Sequence, residues 1–421
     1  MALTNNNSRE FIDDADISSF AFWKRNFVER DETFGLLRRN APVSWHPHLE
    51  TTIPPEVHGE VGFWAVVKAA DIRFVSQNHE LFSSAERGVM LRPMDPRQAM
   101  DPTFLEMDPP DHSKYRKLMS AAFTPKSVAR LQDKIGERAH QIVSAVVGAG
   151  EIDFVTSVAE TLPMLTVADM LGVPDELVET FASAGRNLVD IRAMCPPDVP
   201  ANTYFAQQVD ILRQIGLELV KHRHTHPADD LATALAGAKY DAQFMSDDEI
   251  TSVMMLLSVA GNDTTKQTTT STVLALDRNP GEKAWLLADL EGRIVKSVDE
   301  FIRHASPVIQ FSRTATRNVE LGGQSISAGD KVAIFYCSGN RDEDAFEEPE
   351  KFILDRRPMP HLGFGGGGVH FCLGNGIAKV QLRAIFSEIY TLLPRLEVVA
   401  EPEYLCSEEF HGINRLLVNT H

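Results

Sequence analysis

The sequence predicts a mainly α-helical protein with a minor β portion. Apolar residues recur at helical spacing along most of the chain, whereas short β-type runs are confined to residues 42–68 and 311–336. At 421 residues, the chain is long enough for one large domain or two closely fused ones. We expect a single domain over residues 1–421 that can enclose a buried cofactor.

The predicted elements follow in order along the chain. Residues 1–33 are polar and acidic, which predicts a loosely held lead-in. The first β-type region predicts a small antiparallel strand unit. Apolar spacing predicts helices over residues 69–77, 127–147, 152–171, 174–185, 204–224 and 246–277, from about 287 onward, and from 377 to about 393. In the second β-type region, Gly322-Gly323 predicts a hairpin turn.

Composition and charge argue against several classes of function. The formal net charge is −18, from 41 basic and 59 acidic residues, so binding to nucleic acid or to an anionic membrane is not expected. The sequence has no apolar run long enough to cross a bilayer, and its first residues lack the pattern of a secretory signal. The cysteines at 195, 337, 372 and 406 form no Cys-x-x-Cys pair. This argues against a zinc knuckle or a disulfide framework and predicts a cytoplasmic protein.

A glycine-rich segment near the C-terminus surrounds one cysteine. It reads His361-Leu-Gly-Phe-Gly-Gly-Gly-Gly-Val-His-Phe-Cys-Leu-Gly-Asn-Gly376, and a predicted helix follows. Glycines allow backbone conformations that let a chain curl under a flat ligand. Cys372 would lie where the helix begins, where free N–H groups and the helix dipole favour a thiolate. Such a thiolate is a known axial ligand of haem iron. The alternative is a buried structural cysteine beside a flexible turn.

A second segment, Ala260-Gly-Asn-Asp-Thr-Thr265, lies inside a long apolar helical run. Glycine costs about 1 kcal/mol in a helix interior, and threonine competes for the carbonyl group one turn back. Unfavourable residues in an otherwise regular helix indicate function. A widened turn at Gly261 would leave a groove for a small ligand, with Asp263 and Thr264 as an acid and a hydroxyl for proton delivery. The alternative is a kinked core helix with a satisfied polar pair.

A third set consists of charged residues. Glu300 and Arg303 are three residues apart on one helix face, and Arg356 lies shortly before the cysteine segment. A buried guanidinium that joins the helix to this later segment would hold the segment rigidly.

A fourth set could bind carboxylates. His112 and Arg116 are four residues apart, on one face of a helix that follows Pro110, and offer two cationic donors to a pair of carboxylates. Arg313 and His370 are further candidates for this role. The alternative is a solvated basic helix end.

Taken together, these segments resemble the motifs of the soluble bacterial cytochromes P450, a family of haem-thiolate monooxygenases, over essentially the whole chain. The family's cysteine-loop pattern, Phe-Gly-x-Gly-x-His-x-Cys-x-Gly, is matched by Phe364, Gly365, Gly367, His370, Cys372 and Gly374. Its oxygen-groove pattern, Ala-Gly-x-Asp/Glu-Thr, is matched by Ala260, Gly261, Asp263 and Thr264. Its Glu-x-x-Arg pair is matched by Glu300 and Arg303, with Arg356 as the third member of the network.

The chain departs from the family's cysteine-loop pattern by one residue. It has one residue more than is common between Gly365 and His370. Because glycine can absorb such an insertion as a bulge, we expect the ligand position to be kept. The longer glycine run, together with residues 259–265, also resembles a bacterial subgroup that oxidises steroid side chains.

The resemblance implies a fold, a cofactor and a set of site residues. The fold would be that of the P450 family, with haem b (iron protoporphyrin IX) buried between a long distal helix and the helix after the cysteine loop. Cys372 would ligate the iron and favour O–O cleavage, and Asp263 and Thr264 would be the catalytic pair that relays protons. Haem contacts are implied for His112, Arg116, Gly261, Arg313, Phe364, Gly365, His370 and Gly374, of which the charged members would neutralise the propionates. Glu300, Arg303 and Arg356 would be structural.

The substrate walls implied by matching family positions are mostly apolar, so the substrate should be a lipophilic molecule held by shape. These positions lie in the loop 88–104, the helical stretch 181–205, the distal helix, residues 308–311 and the C-terminal region. The named residues are Val89, Met90, Leu91, Met254, Leu257, Ser258, Val308, Ile309, Phe311 and Phe410. Each could equally be plain core.

The implied activity is insertion of one oxygen atom from O2 into a lipophilic small molecule (steroid, terpenoid or fatty-acid-like) by a monomer. Because the chain has no flavin or iron–sulfur motif, electrons would come from a ferredoxin and its reductase. The docking lysines would be Lys114, Lys117, Lys126 and Lys379, unless these are ordinary solvated side chains. The alternatives are a peroxide-driven haem-thiolate enzyme, a non-catalytic haem-thiolate sensor or carrier, and a helical binding module without haem.

Overall fold

The computed structural model of the chain describes residues 15–51, 55–92, 103–189, 194–240, 243–358 and 360–421. Its helices are α1 (Phe20–Trp23), α2 (Phe27–Asn40), α3 (Pro55–His58), α4 (Ala69–Gln77), α5 (Asp111–Ser120), α6 (Pro125–Ser144), α7 (Thr161–Leu171), α8 (Asp175–Val189), α9 (Ala201–Arg223), α10 (Leu231–Gly237), α11 (Asp247–Ala260), α12 (Asp263–Arg278), α13 (Pro280–Leu287), α14 (Leu290–Ala305), α15 (Tyr336–Gly339) and α16 (Asn375–Leu392). Residues 1–14 of the expected lead-in, and parts of the stretches 88–104 and 181–205, lie outside the described residues.

The strands are short, and they are the minor component that the sequence predicts. They are β1 (Val43–Pro47), β2 (Gly62–Val66), β3 (Phe82–Ser83), β4 (Glu151–Asp153), β5 (Lys239–Tyr240), β6 (Gln243–Phe244), β7 (Gln310–Ala315), β8 (Val319–Leu321), β9 (Gln324–Ile326), β10 (Lys331–Phe335), β11 (Glu397–Val398), β12 (Glu403–Tyr404), β13 (Ile413–Arg415) and β14 (Leu417–Asn419). The mainly α fold class is therefore confirmed.

Local sequence explains where several elements begin and end. Helix α4 begins and ends at the predicted residues, 69 and 77. Helix α11 follows a capping box, in which the Ser246 hydroxyl accepts from the Glu249 N–H and the Glu249 carboxylate accepts from the Ser246 N–H. Helix α7 ends at Gly172, which has a left-handed φ of +80°. The predicted hairpin at Gly322-Gly323 joins β8 and β9.

The chain forms two compact units. The first contains the described parts of Met1–Pro109, Asp299–Cys372 and Glu403–Asn414. Its five-stranded sheet has the order β1-β2-β10-β7-β3, with β10 parallel to β2 and antiparallel to β7. Strands β2 and β10 are buried along their whole length. This burial explains why both read as nearly continuous apolar runs.

The prediction of a loosely held lead-in is wrong for residues 15–33. This part contains α1 and the start of α2, and Phe22 and Trp23 are 0% and 2% exposed. The Phe22 ring meets the rings of Trp23 and Phe34 at 4.8 and 5.9 Å between centroids. A few aromatic residues thus anchor a polar stretch in the core, and their spacing is too sparse for a periodicity signal.

The second unit contains Pro110–Val298, Leu373–Pro402 and Arg415–His421, within the described residues. Helix α16 packs against α6, and α9 packs against α8, α10 and α11. A three-stranded sheet of order β11-β14-β4 covers one part of it. Among the described residues, no helix combines the length and the apolar character that crossing a bilayer requires.

Two predicted helices of this unit differ from the structure. Residues 151–153 are strand β4, paired with β14, and Val155–Ala159 is a π-helical turn, so the helix predicted over 152–171 is regular only in α7. The helix predicted over 246–277 is interrupted at Gly261-Asn262, between α11 and α12. The interruption falls at the segment where the sequence predicts a widened turn.

Candidate active site

In the first unit, the cysteine segment forms a closed loop. The Cys372 N–H donates to the Phe364 carbonyl oxygen at 3.1 Å, and four glycines, 365–368, lie in the bend between them. Gly365, Gly367 and Gly368 have φ angles of +91°, +91° and +74°, a conformation that only glycine adopts without strain. The Cys372 side chain is half-buried.

Glycine also allows this loop to approach α4 closely. A Cβ atom at Gly366 would lie 2.4 Å from Ser76 Oγ, and one at Gly368 would lie 2.3 Å from the Ser76 carbonyl oxygen. Gln77 Nε2 donates to the Gly366 carbonyl oxygen at 3.1 Å. The long glycine run thus packs on the C-terminal end of α4, and a side chain at either position would push the loop away.

Glu300, Arg303 and Arg356 are brought together below this loop. The Glu300 carboxylate accepts from Arg303 Nε at 2.7 Å, from Arg303 Nη2 at 2.8 Å and from Arg356 Nε at 3.1 Å. Glu300 and Arg303 are buried. Arg303 also donates to three backbone carbonyl oxygens within residues 340–351. The network therefore fixes the backbone that leads to the cysteine loop.

Arg313, on β7, is a buried cation that is only 3% exposed. Its Nη1 donates to the Ser312 carbonyl oxygen at 2.7 Å. Burial lowers the pKa of Arg313, while Tyr336 and Asp108 raise it. No carboxylate of the described residues lies within ion-pair distance of its guanidinium. A guanidinium in this environment is suited to an incoming anion.

His370 and Arg313 share two neighbours that the sequence did not indicate. The Ser84 hydroxyl lies 3.0 Å from His370 Nε2, and the Ser84 N–H donates to Asp108 Oδ1 at 2.9 Å. Asp108 also interacts electrostatically with Arg313. Ser84 and Asp108 thus link two residues that are 57 positions apart in a common polar patch.

The predicted pocket residues of the first unit lie on segments that the structure joins. The Ser312 N–H donates to the Val89 carbonyl oxygen at 2.7 Å, and Val308 forms a β-bridge with Phe410. Half-buried side chains, which keep accessible surface, are Met90, Val308, Phe311 and Phe410. Fully buried ones are Val89, Leu91 and Ile309. Their enclosure favours the core interpretation for these three.

In the second unit, close packing explains the interruption between α11 and α12, and the interruption contains buried polar residues. A Cβ atom at Gly261 would lie 2.7 Å from Val167 Cγ2, so glycine lets α7 approach. Asn262 is completely buried, and neither polar atom of its side chain has a hydrogen-bond partner among the described residues. The Thr264 hydroxyl is half-buried and donates to the Ala260 carbonyl oxygen at 3.0 Å.

Asp263 is the buried acid of this interruption. Its side chain is 0% exposed, and Lys266 Nζ lies 2.5 Å from Oδ1. The two residues are three positions apart at the start of α12, where an acidic side chain also interacts favourably with the helix dipole. The ion pair allows a charged carboxylate to exist without contact with bulk water.

The remaining candidates of the second unit lie on α5, α11 and α16. His112 is 1% exposed and Arg116 is half-buried, one turn apart on α5. Gly374 is the N-cap of α16. On α11, Leu257 is half-buried, whereas Met254 and Ser258 are fully buried.

Met254 and Ser258 face neighbouring helices. A Cβ atom at Gly216 of α9 would lie 2.6 Å from Met254 Cγ, and one at Gly185 of α8 would lie 3.1 Å from Ser258 Cβ. The core interpretation is therefore favoured for both residues, and Leu257 remains the pocket candidate of this helix.

These features fit a haem-thiolate group. The half-buried Cys372 can serve as a metal ligand. The buried Arg313, which has no carboxylate partner among the described residues, can bind a propionate. The glycine cradle lets the backbone approach α4 without side chains between them. The buried amide of Asn262, without a hydrogen-bond partner among the described residues, marks a polar position at the junction of α11 and α12.

Comparison with known proteins identifies the family. The family model "Cytochrome P450" matches residues 294–403. The methyl-branched lipid omega-hydroxylase of Mycobacterium tuberculosis is 36% identical over 414 residues, which cover 97% of this chain and 95% of that protein. The chain belongs to the cytochrome P450 family. It is a haem-dependent monooxygenase.

Two further relatives of this cytochrome P450 agree with the sequence resemblance. The steroid C26-monooxygenase of Rhodococcus jostii is 36% identical, with 92% of this chain and 81% of that protein covered. Cytochrome P450 CYP268A2 of Mycobacterium marinum, solved in complex with pseudoionone, is 42% identical, with a TM-score of 0.92 and coverage of 98% and 99% of the two chains. The P450 fold and the likeness to the subgroup that oxidises steroid side chains are confirmed.

Sequence reasoning missed several polar residues of this cytochrome P450. Lys266 could have been found, because it is three positions from Asp263 on the same helix. Ser84, Asp108 and Tyr336 could not, because nothing in the local pattern relates them to His370 or Arg313.

Proposed function

We propose that this cytochrome P450 inserts one atom of O2 into the branched, methyl-bearing end of a lipophilic chain, in a steroid, terpenoid or fatty-acid-like substrate. The observation that carries the proposal is that two groups of relatives, each similar along more than nine-tenths of this chain, are named for lipid omega-hydroxylation and for steroid C26 oxidation. Both names describe oxidation at the end of a hydrocarbon chain.

The residues proposed to hold the haem would ligate the iron, balance the charge of the propionates and support the cysteine loop. Cys372 would supply the thiolate that ligates the iron, presented by a loop whose leading backbone Glu300 and Arg303 hold. Arg313, His370, His112 and Arg116 neutralise the propionates, which would be costly to bury unpaired. Haem bound in this way supplies oxygen activation, and the thiolate favours O–O cleavage.

Proton delivery is assigned to Asp263 and Thr264. The Thr264 hydroxyl is half-buried and can exchange its hydrogen bond to the Ala260 carbonyl oxygen for one to a ligand. Asp263 lies next to Thr264 in the chain, and its side chain is fully buried. It would therefore pass on protons without direct contact with bulk water. General-acid steps of this kind contribute typically ~10²–10⁴-fold to rates.

The proposed substrate walls are the candidates that keep accessible surface. They are Met90, Val308, Phe311 and Phe410 in the first unit and Leu257 in the second. All five side chains are apolar, so they would bind a hydrocarbon by shape, and the polar end of the substrate would lie outside their contacts.

Electrons are proposed to come from a ferredoxin and its reductase. Lys114, Lys117 and Lys126 belong to the second unit, on α5 and at the start of α6, and Lys379 belongs to α16, which packs against α6. On a chain of net charge −18, a local group of lysines would give an acidic ferredoxin a complementary surface. Binding should then weaken as salt is raised. We also propose that the protein acts as a monomer in the cytoplasm, where its cysteines stay reduced.

The first experiment tests haem-thiolate ligation. Reduced holoenzyme with carbon monoxide should show the red-shifted Soret band of thiolate ligation, and Cys372→Ser should lose it while Cys406→Ser, at an exposed cysteine, keeps it. A wild-type spectrum without the band would contradict the assignment of Cys372.

The second experiment tests the substrate class. Ligands are compared in pairs by the shift in ferric spin state: a sterol against the same ring system without its side chain, and an iso-branched fatty acid against its straight-chain isomer. We expect the first member of each pair to bind more tightly and to be hydroxylated at the chain end, as identified by mass spectrometry. Equal binding of both members would refute the chain-end proposal. Turnover that persists with peroxide but not with ferredoxin would favour the peroxide-driven alternative, and binding without turnover would favour a sensor or carrier.

A further inference from the structure

Charged side chains of alternating sign lead from the buried Asp263 to the surface of the second unit. Lys266 contacts the Asp263 carboxylate, and Glu160 lies close enough to Lys266 for their charges to interact. Arg186 Nη1 lies 3.6 Å from Glu160 Oε1, and Arg186 Nη2 lies 3.0 Å from Glu179 Oε1. The exposed fraction of the carboxylate side chains rises along this row, from 0% at Asp263 to 17% at Glu160 and 83% at Glu179.

An irregular turn of the backbone places Glu160 in this row. Residues Val155–Ala159 form a π-helical turn, and the Glu160 N–H donates to the Val155 carbonyl oxygen, five residues back, at 3.1 Å. This turn packs against α12, the helix that carries Asp263 and Lys266. A π-helical turn is rare and is found frequently at functional sites.

The charged groups around Glu160 shift its pKa in opposite directions. Burial raises the pKa of Glu160, Arg186 and Lys266 lower it, and Asp153 and Glu179 raise it. These groups come from α8, α12 and β4, the elements around the carboxylate. An ionised Glu160 attracts Lys266, whereas a protonated Glu160 leaves Lys266 to Asp263.

We propose that Glu160 is a positioning residue for proton delivery, because its carboxylate draws the Lys266 ammonium away from Asp263. While Lys266 is bound to Asp263, its ammonium group occupies the carboxylate oxygen Oδ1. When Lys266 turns to Glu160, Asp263 takes a proton from water and passes it on, and Lys266 keeps its own protons throughout. The inference rests on the proposed function, since only oxygen chemistry requires protons at this position.

The test uses holoenzyme with ferredoxin, reductase and an iso-branched fatty acid. Glu160→Gln cannot ionise, so Lys266 stays on Asp263, and we expect product per NADPH to fall about threefold or more while peroxide release rises. In wild type, product per NADPH should decline as pH is lowered and Glu160, whose pKa is raised by burial, takes up its proton, whereas Glu160→Gln should show no such decline. Glu160→Asp should restore part of the yield and the pH dependence.

Two controls separate this role from a structural one. Glu179→Gln removes the exposed partner of the same arginine and should leave product per NADPH near neutral pH unchanged. Its decline on acidification should persist but move to lower pH, because Glu179 no longer raises the pKa of Glu160. Peroxide-driven product formation by Glu160→Gln should equal that of wild type, because peroxide brings its own protons. An equal loss with peroxide, or a Glu160→Gln profile identical to wild type at every pH, would overturn the inference while leaving the proposed function intact.

A measurement without turnover keeps the inference testable even if the proposed substrate class is wrong. Infrared spectra of holoenzyme should show a protonated-carboxyl band that grows on acidification in wild type and is missing in Glu160→Gln. The carboxylate band that Asp263→Asn removes should shift together with it. An Asp263 band that does not respond to protonation of Glu160 would refute the link between the two residues.

Discussion

Replacement of Glu300 by glutamine tests the network beneath the cysteine loop most directly. Glu300→Gln keeps the shape of the side chain but removes the charge that accepts from Arg303 at 2.7 and 2.8 Å and from Arg356 at 3.1 Å. Arg303, which is 1% exposed, would keep its bonds to backbone carbonyl groups but lose its only buried counter-charge in the described network. Breaking a buried pair by removing one partner costs about 3–5 kcal/mol.

This cost converts to a shift in melting temperature. With 421 residues and an unfolding entropy of about 2.1 cal/mol/K per residue, the entropy is about 0.9 kcal/mol/K, so the shift should be roughly 3–6 °C. Far-ultraviolet circular dichroism and Soret absorbance, recorded on the same sample, measure global unfolding and haem loss. We expect haem loss to begin at a lower temperature than in wild type, because the loop that leads to Cys372 is held by this network.

A surface pair provides the matched control. Lys351 and Glu348 form an ion pair whose side chains are 58% and 51% exposed. Such pairs contribute about 0.2–1 kcal/mol, so Glu348→Gln should move the midpoint by about 1 °C or less. If Glu300→Gln unfolds within error of Glu348→Gln, the buried network does not stabilise this region and the reasoning fails.

Three further predictions concern the loop, buried histidines and the anion site. Gly368→Ala should lower haem retention, measured by the Soret-to-protein absorbance ratio, because its Cβ would lie 2.3 Å from the Ser76 carbonyl oxygen at a φ of +74°; an unchanged ratio would contradict the close packing. Burial lowers the pKa of His46 to about 3 and that of His411 well below its ordinary value. Burial also lowers the pKa of His304 well below its ordinary value. With these three histidines, the unfolded chain binds more protons below about pH 6.5, and the free energy of unfolding should fall by up to about 4.1 kcal/mol per pH unit on acidification, as urea titrations at two pH values would show; His46→Phe should reduce this slope by about a third. Arg313→Gln should speed haem transfer to apomyoglobin, since a propionate would lose a buried cation, and an unchanged rate would exclude Arg313 as its partner.

The sequence predicted those parts of the fold that local patterns determine. Helix α4 and the Gly322-Gly323 hairpin depend on neighbouring residues, and both match. Strand β4 was missed because its partner, β14, lies near the far end of the chain, and no local pattern reports such a pairing. Phe22 was assigned to a loose lead-in for the same reason, since its burial depends on a core assembled from distant segments.

The same distinction applies to the candidate site. Candidates in compact motifs, such as Cys372, Asp263 and Thr264, could be proposed from spacing and chemistry, and their roles stay predictions. Contacts among distant residues could not: Ser84 meets His370 across 286 positions, and Glu160 reaches Lys266 only through a π-helical turn that the apolar pattern concealed. Helical periodicity assumes a regular turn, so it does not predict an irregular one.

The parallel pairing of β2 with β10 has a consequence for biosynthesis. Trp64, on β2, donates its indole N–H to Asp330, which is 266 positions later in the chain. At about 5–20 residues per second, a ribosome needs roughly 13–53 s to make the intervening chain. During that time β2 is paired with β1, but its other edge has no native partner, and an unpaired strand edge is exposed to aggregation. Cys372, the proposed haem ligand, emerges later still, after the strand partner.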